Sequence, residues 1–142
     1  MDRLIKNGRQ LYTVAKKDLF KQKYAYQVLR LAHYSERYTD VINWYDAYAS
    51  KTMANTVLQP MTLALKAGAL FRTGKQKEAA YLFSRVFAAS QAKRISNYLG
   101  FTWSVDSKTD KKEYLALCKN NEEKAAMLAL FMLGSTHNDL DN

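Results

Sequence analysis

The stretch from Leu63 to Ser90 limits the folds open to this chain more than any other part of it. Apolar residues recur there at helical spacing on both sides of a short break that contains Gly74. They are Leu63, Ala67 and Leu70 before the break and Ala79, Leu82, Phe83, Val86 and Phe87 after it. Gly74 stands where a helix ends in a left-handed residue, a conformation that glycine adopts without a Cβ clash. The stretch therefore predicts two helices joined by a tight turn.

Small residues mark the place where the backbones of these two predicted helices would meet. They are Ala64, Ala67, Gly68 and Ala69 in the first helix and Ala79 and Ala80 in the second. With an aromatic residue one turn later, the stretch resembles one repeat of the tetratricopeptide (TPR) family. The resemblance implies an all-α fold in which TPR-like antiparallel helix pairs stack into a right-handed α-α superhelix.

Residues 24–50 repeat this pattern at an offset of 38 residues, against 34 for the ordinary period of the family. The aligned pairs include Leu29 with Ala67, Ala32 with Leu70, Glu36 with Gly74, Val41 with Ala79 and Tyr45 with Phe83. Because Glu36 replaces the turn glycine, we expect this turn to close differently from the later one.

Turn-forming residues are scarce, since the 142 residues include one proline and five glycines. Sheets and sandwiches need turn residues about every ten positions, so the composition favours an all-α fold, and we expect about 7–8 helices. A chain of this length can bury roughly two-thirds of its unfolded surface in one domain.

We expect a single TPR-like domain over residues 1–142. Its predicted segments are a capping helix at 1–20, repeats at 22–50 and 58–90, a degenerate repeat at 92–119 and the first helix of a further repeat at 121–135. The last helix is apolar on most sides from Met127 to Leu133, so it needs neighbours. We expect the chain to be a piece of a longer repeat protein; the alternative is an oligomer that buries this apolar C-terminal helix.

Several helix ends follow from the apolar spacing and from capping residues. The spacing predicts one amphipathic helix with a basic face from Arg3 to Leu19. Asp110 is expected to cap a helix that runs to Lys119. We expect Asn121 to cap the last helix and Gly134 to end it.

No pattern of residues in the sequence indicates catalysis, a metal or a cofactor. Glycine-rich phosphate-binding motifs are missing, and zinc needs several ligands at short spacings, which Cys118, His33 and His137 do not show. A Cys–His hydrolase could in principle use Cys118, but this residue follows an apolar helical stripe and is interpreted as a core residue. We therefore predict that the protein is not an enzyme and binds no metal or cofactor.

The formal net charge of +9 is concentrated towards the N-terminus. Residues 1–30 contain eight Lys or Arg against two acids, whereas residues 110–142 contain four against six. A solvated, lysine-rich helical surface is the ordinary explanation of such a bias. The alternative is weak, non-specific binding of nucleic acid by the cluster Lys16, Lys17, Lys21 and Lys23. Because later basic residues are interspersed with acids, we rank nucleic acid below protein as a partner.

The TPR resemblance implies a groove lined by the first helix of each pair. The groove residues that it implies are Lys23, Tyr26, Arg30, His33, Tyr34, Phe71 and Arg72. Cations and tyrosines suit carboxylates and apolar groups together. We therefore expect an interaction module that holds an acidic segment of a partner protein or peptide in a basic, aromatic-rich groove. The lysine–asparagine clamp of some family members is not reproduced, and a helical accessory domain of a larger enzyme is a further alternative.

The sequence also bears on location. Cys118 is the only cysteine, so no internal disulfide can form. No apolar run approaches the ~20 residues that span a bilayer, and the first residues lack the apolar core of a signal peptide. We expect a cytoplasmic protein without a membrane span.

Overall fold

The computed structural model describes residues 2–54, 56–105 and 110–140, and for 135–140 the backbone alone. Within these residues the chain forms helices and no β-strand, which confirms the predicted all-α class. The chain divides into two compact units, residues 1–73 and residues 74–142. No helix in the described part of the chain is both long enough and apolar enough to cross a membrane.

Five helices form within the described residues of the first unit. They are α1 (Asp2–Val14), α2 (Asp18–Tyr34), α3 (Tyr38–Trp44), α4 (Ser50–Thr52) and α5 (Gln59–Arg72). A π-helical turn, Tyr45–Ala49, joins α3 to α4 without a break. Pro60 lies in the first turn of α5, where its missing N–H removes no intrahelical hydrogen bond.

The part of the second unit that the structure describes contains four helices. They are α6 (Gln76–Ala89), α7 (Arg94–Ser104), α8 (Lys111–Leu115) and α9 (Asn121–Leu140), with a 3₁₀ turn at Gln91–Lys93 leading into α7. When the continuous run from α3 to α4 is counted as one helix, the described residues form eight helices, within the predicted number.

The N-terminal helix is shorter than the sequence predicts. The expected helix Arg3–Leu19 is interrupted after Val14, because Lys17 adopts an extended conformation and α2 begins at Asp18. Leu19 therefore belongs to α2.

The caps of the last two helices are partly as predicted. The Asp110 carboxylate accepts a hydrogen bond of 3.0 Å from the Lys112 backbone amide, which confirms the predicted cap of α8. The helix itself ends at Leu115 and does not reach Lys119.

The predicted ends of α9 are wrong. The side-chain oxygen of Asn120, and not that of Asn121, accepts a hydrogen bond of 2.9 Å from the Glu123 backbone amide. The helix also continues past Gly134 to Leu140, because glycine lowers helix stability but does not by itself end a helix.

The core of the first unit surrounds α2, which contacts α1, α3 and α5. Its fully buried residues include Ala25, Val28, Leu29, Val41, Ala49 and Met53. Gly8 of α1 lies against this core, because a Cβ atom at Gly8 would lie only 2.7 Å from Val28 Cγ2. The two helices therefore approach each other more closely than a side chain at position 8 would permit.

The core of the second unit surrounds α6, which contacts α7, α8 and α9. Its fully buried residues include Val86, Phe101, Met127 and Leu130. Gly100 of α7 likewise leaves room that a side chain would fill, because a Cβ atom at that position would lie 2.6 Å from the Phe83 ring.

The apolar stretch of α9 is buried on one side only. Met127 and Leu130 are fully buried, whereas Leu128, Met132 and Leu133 are 43%, 69% and 50% exposed. A further repeat or an oligomer that covers this exposed side stays a prediction.

The turn after α2 and the turn after α5 share one backbone geometry. The matched pairs of φ values are −88° and −96° for Ser35 and Thr73, 61° and 84° for Glu36 and Gly74, and −91° for both Arg37 and Lys75. The expectation that Glu36 would close its turn differently is therefore wrong. Glu36 adopts the left-handed conformation that glycine adopts at the equivalent position.

Side-chain hydrogen bonds match at these turns as well. The Ser35 hydroxyl donates to the Leu31 carbonyl at 2.7 Å, and the Thr73 hydroxyl donates to the Ala69 carbonyl at 3.0 Å. The 38-residue offset thus holds in the backbone at both turns. The TPR-like superhelix and the boundaries of the repeats stay predictions.

Candidate functional site

The candidate site lies on α2 and α5, two contacting helices of the first unit. Residues three or four positions apart share one side of a helix, which groups Arg30, His33 and Tyr34 on α2 and Gly68 and Arg72 on α5. These five residues are called the α2/α5 surface below.

His33 is the residue that joins the two helices of the α2/α5 surface. A Cβ atom at Gly68 would lie 3.0 Å from His33 Cε1, so the glycine leaves room for the imidazole against α5. The rings of Tyr34 and Tyr38 lie nearly perpendicular to the imidazole, at centroid distances of 6.0 and 5.4 Å. His33 Nδ1 is buried and has no hydrogen-bond partner among the described residues.

The charge on this surface comes from arginine and not from histidine. Burial of the imidazole, and after it the positive charge of Arg72, lowers the pKa of His33 below its usual 6.5. His33 is therefore neutral near pH 7. The positive charge of the surface is carried by the guanidinium groups of Arg30 and Arg72.

Two arginines and a tyrosine are available to a partner. Tyr34 is 68% exposed, and the guanidinium carbon of Arg30 lies 5.7 Å from the centroid of its ring. Arg30 and Arg72 are both exposed, and neither forms an ion pair with a carboxylate in the described part of the chain. The surface can thus engage a carboxylate and an apolar group at the same time.

The other predicted groove residues lie on the same two helices but are used differently. Tyr26 is partly buried and packs against the core of the first unit. Phe71 is also partly buried, whereas Lys23 is exposed near the start of α2. Ring contacts link Arg30 to Tyr34 and Tyr34 to His33, and the charge of Arg72 acts on His33. Lys23, Tyr26 and Phe71 take no part in these interactions.

Tyr38 contacts the α2/α5 surface through His33, and sequence reasoning missed this residue. It is the first residue of α3, the second helix of its pair, whereas the TPR resemblance points to first helices alone. The left-handed residue at position 36 returns the chain, so that the Tyr38 ring reaches His33. No motif in the sequence gives this contact.

The second unit buries a carboxylate among hydrogen-bond donors. Glu123 accepts a hydrogen bond of 2.6 Å from the Tyr81 hydroxyl and one of 3.2 Å from the Lys119 backbone amide. Burial alone would raise the pKa of Glu123, but these donors and Arg85 outweigh it and lower the pKa from 4.5. Burial, and next the hydrogen bond to Glu123, raises the pKa of Tyr81 to about 12. Glu123 thus stays ionised and Tyr81 stays protonated near neutral pH.

Cys118 is half-buried beyond the end of α8 and is not a fully buried core residue. Burial, and after it the negative charge of Glu123, raises the pKa of its thiol, which disfavours the nucleophilic thiolate. No group of three or more His, Cys, Asp or Glu in the described residues could hold a metal ion. The His137 side chain lies outside the part of the chain whose side chains are described.

The chain matches no protein-family model, no curated protein and no solved structure. The geometry and the charge of the α2/α5 surface therefore carry the assignment of a function.

Proposed function

We propose that this protein is a protein–protein interaction module whose α2/α5 surface binds an acidic segment of a partner. The observation that supports this proposal is the pair of exposed guanidinium groups of Arg30 and Arg72. Both lack a carboxylate partner in the described residues. Arg30 lies over the exposed ring of Tyr34, and the charge of Arg72 acts on the imidazole of His33.

Each part of the surface has its own role in this proposal. A guanidinium group binds a carboxylate through two parallel hydrogen bonds, which fixes the direction as well as the charge of the partner group. Tyr34 offers a rigid apolar ring that loses little conformational entropy on binding. Because both arginines are exposed, the attraction speeds association and weakens as salt screens it.

We further propose that α2 and α5 are equivalent first helices of TPR-like pairs. The shared turn geometry at Glu36 and Gly74 supports this relation, as does the matching of the hydroxyl groups of Ser35 and Thr73. Equivalent first helices would present their side chains to one common ligand.

Reversing the two charges tests the binding proposal. The variant R30E/R72E should lose at least about tenfold in affinity for a short labelled peptide of alternating glutamate and leucine, since about 1.4 kcal/mol corresponds to that factor. Fluorescence anisotropy measures the affinity. Because both side chains are exposed, the circular dichroism and the melting temperature of the variant should stay close to those of the parent protein.

A charge-matched control separates the surface from the net charge of the chain. The variant K75E/K112E changes the net charge by the same amount at two exposed lysines of the second unit, and it should keep the parent affinity. Equal loss in both variants, or binding of a glutamine–leucine peptide as tight as that of the acidic one, would remove the α2/α5 surface from the proposal.

A further inference from the structure

A cluster of three aromatic rings and two cations lies elsewhere in the first unit. Tyr12 of α1 meets Trp44 and Tyr48 edge-on, at centroid distances of 5.3 and 5.6 Å, and Trp44 and Tyr48 lie 4.2 Å apart. The guanidinium carbon of Arg9 lies 5.3 Å from the Trp44 ring, and the Lys21 ammonium lies 5.6 Å from the Tyr12 ring. These five residues are called the Trp44 cluster below.

The Trp44 cluster includes a residue of the π-helical turn. Tyr48 lies in this turn, Tyr45–Ala49, and its side chain is 45% exposed. Such π-helical turns occur frequently at functional sites. The Trp44 side chain is nearly fully buried, and its indole N–H has no acceptor among the described residues. This unpaired donor is a second sign that packing alone does not account for the cluster.

The positive charge around the Trp44 cluster is not neutralised. Neither Arg9 nor Lys21 forms an ion pair with a carboxylate in the described residues. Lys16 and Lys17, between α1 and α2, are exposed and extend the positive surface. Residues 1–30 hold two carboxylates, and one of these, Asp2, is paired with Arg37.

We propose that the Trp44 cluster binds single-stranded nucleic acid, with a base stacked on the exposed face of Tyr48 and phosphates held by Arg9 and Lys21. This surface uses none of the residues of the α2/α5 surface and does not depend on the proposed function. Ranking nucleic acid below protein relied on basic residues that are interspersed with acids, but the basic residues of α1 and α2 at this cluster lack acidic partners.

The combination of groups favours nucleic acid over an acidic peptide. Single-stranded nucleic acid carries flat bases and closely spaced phosphates on one chain. In the proteins that bind it, aromatic rings stack on the bases and neighbouring cations bind the phosphates. An acidic peptide would use the cations but would leave the exposed face of Tyr48 without a flat partner. Contacts of this kind read no sequence, so the affinity should be similar for different bases and should fall with salt.

Fluorescence anisotropy of labelled oligothymidine and oligouridine, titrated with the full chain at several salt concentrations, tests the proposal. The variant R9Q/K21Q should bind weakly and should show a slope of log affinity against log salt that is flatter by roughly 1.4, or about 0.7 for each lost phosphate contact. The variant Y48A should lose about tenfold in affinity with an unchanged slope, because it removes a stacking ring and no charge.

Tryptophan emission places the contact at the cluster. The chain contains two tryptophans, so W103F leaves Trp44 as the only one. Oligonucleotide binding should quench the emission of this variant in proportion to the anisotropy change. Circular dichroism of each variant checks that it is folded.

A control variant and a competitor complete the test. K75Q/K112Q, which removes the same charge from the second unit, should bind as the parent does. Three outcomes would each overturn the proposal: no salt-dependent binding by the parent protein, equal weakening in K75Q/K112Q and R9Q/K21Q, or displacement of the oligonucleotide by the glutamate–leucine peptide at equal charge concentration. The last outcome would show that the cluster binds polyanions without preference.

Discussion

Glu36 holds a backbone conformation that disfavours any residue with a Cβ atom. Its φ of 61° lies in the left-handed region, which costs such a residue roughly 1–2 kcal/mol relative to the right-handed helix. Glycine avoids this cost, and Gly74 has a φ of 84° at the equivalent turn. The turn at Glu36 thus carries a conformational strain that the equivalent turn at Gly74 avoids.

Substitutions at both turns should therefore act in opposite directions. We expect E36G to raise the free energy of unfolding by about 0.5–1 kcal/mol, because the relief of strain exceeds the greater entropy of glycine in the unfolded chain. G74A should lower it by about 1 kcal/mol. Urea unfolding followed by circular dichroism measures both. Destabilisation by E36G would show that the Glu36 side chain makes a stabilising interaction that outweighs the strain.

His33 should make stability depend on pH just below neutrality. Its pKa is lowered in the folded protein, first by burial and then by Arg72, whereas the unfolded chain keeps the usual 6.5. The unfolded state therefore binds more protons, so the free energy of unfolding is full above pH 6.5 and falls as the pH drops below that value. Urea unfolding between pH 8 and pH 5 measures the fall.

A pair of histidine variants assigns this effect. H33Q should flatten the pH dependence, and H137Q at the other histidine of the chain should leave it unchanged. Glu123, whose pKa is lowered from 4.5, loses its contribution at more acidic pH and does not mask the window of His33. If the pH dependence of the free energy of unfolding disappeared in H137Q and persisted in H33Q, the effect would belong to His137 and not to His33.

The TPR resemblance, combined with helical spacing, pointed to part of the candidate site. Arg30, His33 and Tyr34 follow from their positions along one face of α2, since spacing fixes which residues share a face. Spacing does not fix which residues of other helices meet that face. The contact of Tyr38 with His33 and that of Arg9 with Trp44 join residues of different helices and depend on the turns between those helices, which leave no periodic signal.

At the scale of helices, Gly8 determines how closely α1 approaches α2. Sequence reasoning counts a glycine inside a helix as a loss of about 1 kcal/mol relative to alanine. The structure reverses that expectation at this position, because a Cβ atom would lie 2.7 Å from the fully buried Val28. The close approach of the two helices requires the missing side chain.

Two glycine-to-alanine variants distinguish packing from intrinsic helix preference. G8A should lower the free energy of unfolding by about 1–3 kcal/mol, as overpacking does in a close-packed core. G134A should raise it by about 0.5–1 kcal/mol, because within the described residues no atom beyond the neighbouring backbone of α9 lies within 4 Å of the added Cβ atom. Thermal and urea unfolding measure both. Stabilisation by G8A would show that α1 moves away from α2 at little cost.

At the scale of the molecule, the first unit contains both proposed binding surfaces and a core of its own. The buried cluster from Ile5 to Ala69 lies wholly within residues 1–73. Its burial involves α1, α2, α3 and α5, so four helices shield one another within this unit.

A fragment of residues 1–73 should therefore fold and bind. We expect a helical circular dichroism spectrum, a cooperative thermal transition, and affinities for the acidic peptide and the oligonucleotide within about threefold of those of the full chain, or less than about 1 kcal/mol. A fragment that is unfolded in buffer would show that the two compact units depend on each other for stability.

The all-α class could be predicted from the sequence, but the division into two units could not. One proline, five glycines and long helical periodicities leave little room for strands, so the class follows from composition and spacing. Periodicity shows that a helix has an apolar face without showing which helix covers that face. The boundary near Thr73 depends on which helices cover one another.

The shared turn geometry after α2 and α5 makes the two loops interchangeable parts. The φ angles of the two loops differ most between Glu36 and Gly74, at 61° and 84°. The threonine, glycine and lysine of the later loop should therefore replace Ser35-Glu36-Arg37 without a shift of the neighbouring helices. The unit of 38 residues could thus be duplicated along the chain, in evolution or by design. Each copy would add a helical surface that could bind a different ligand.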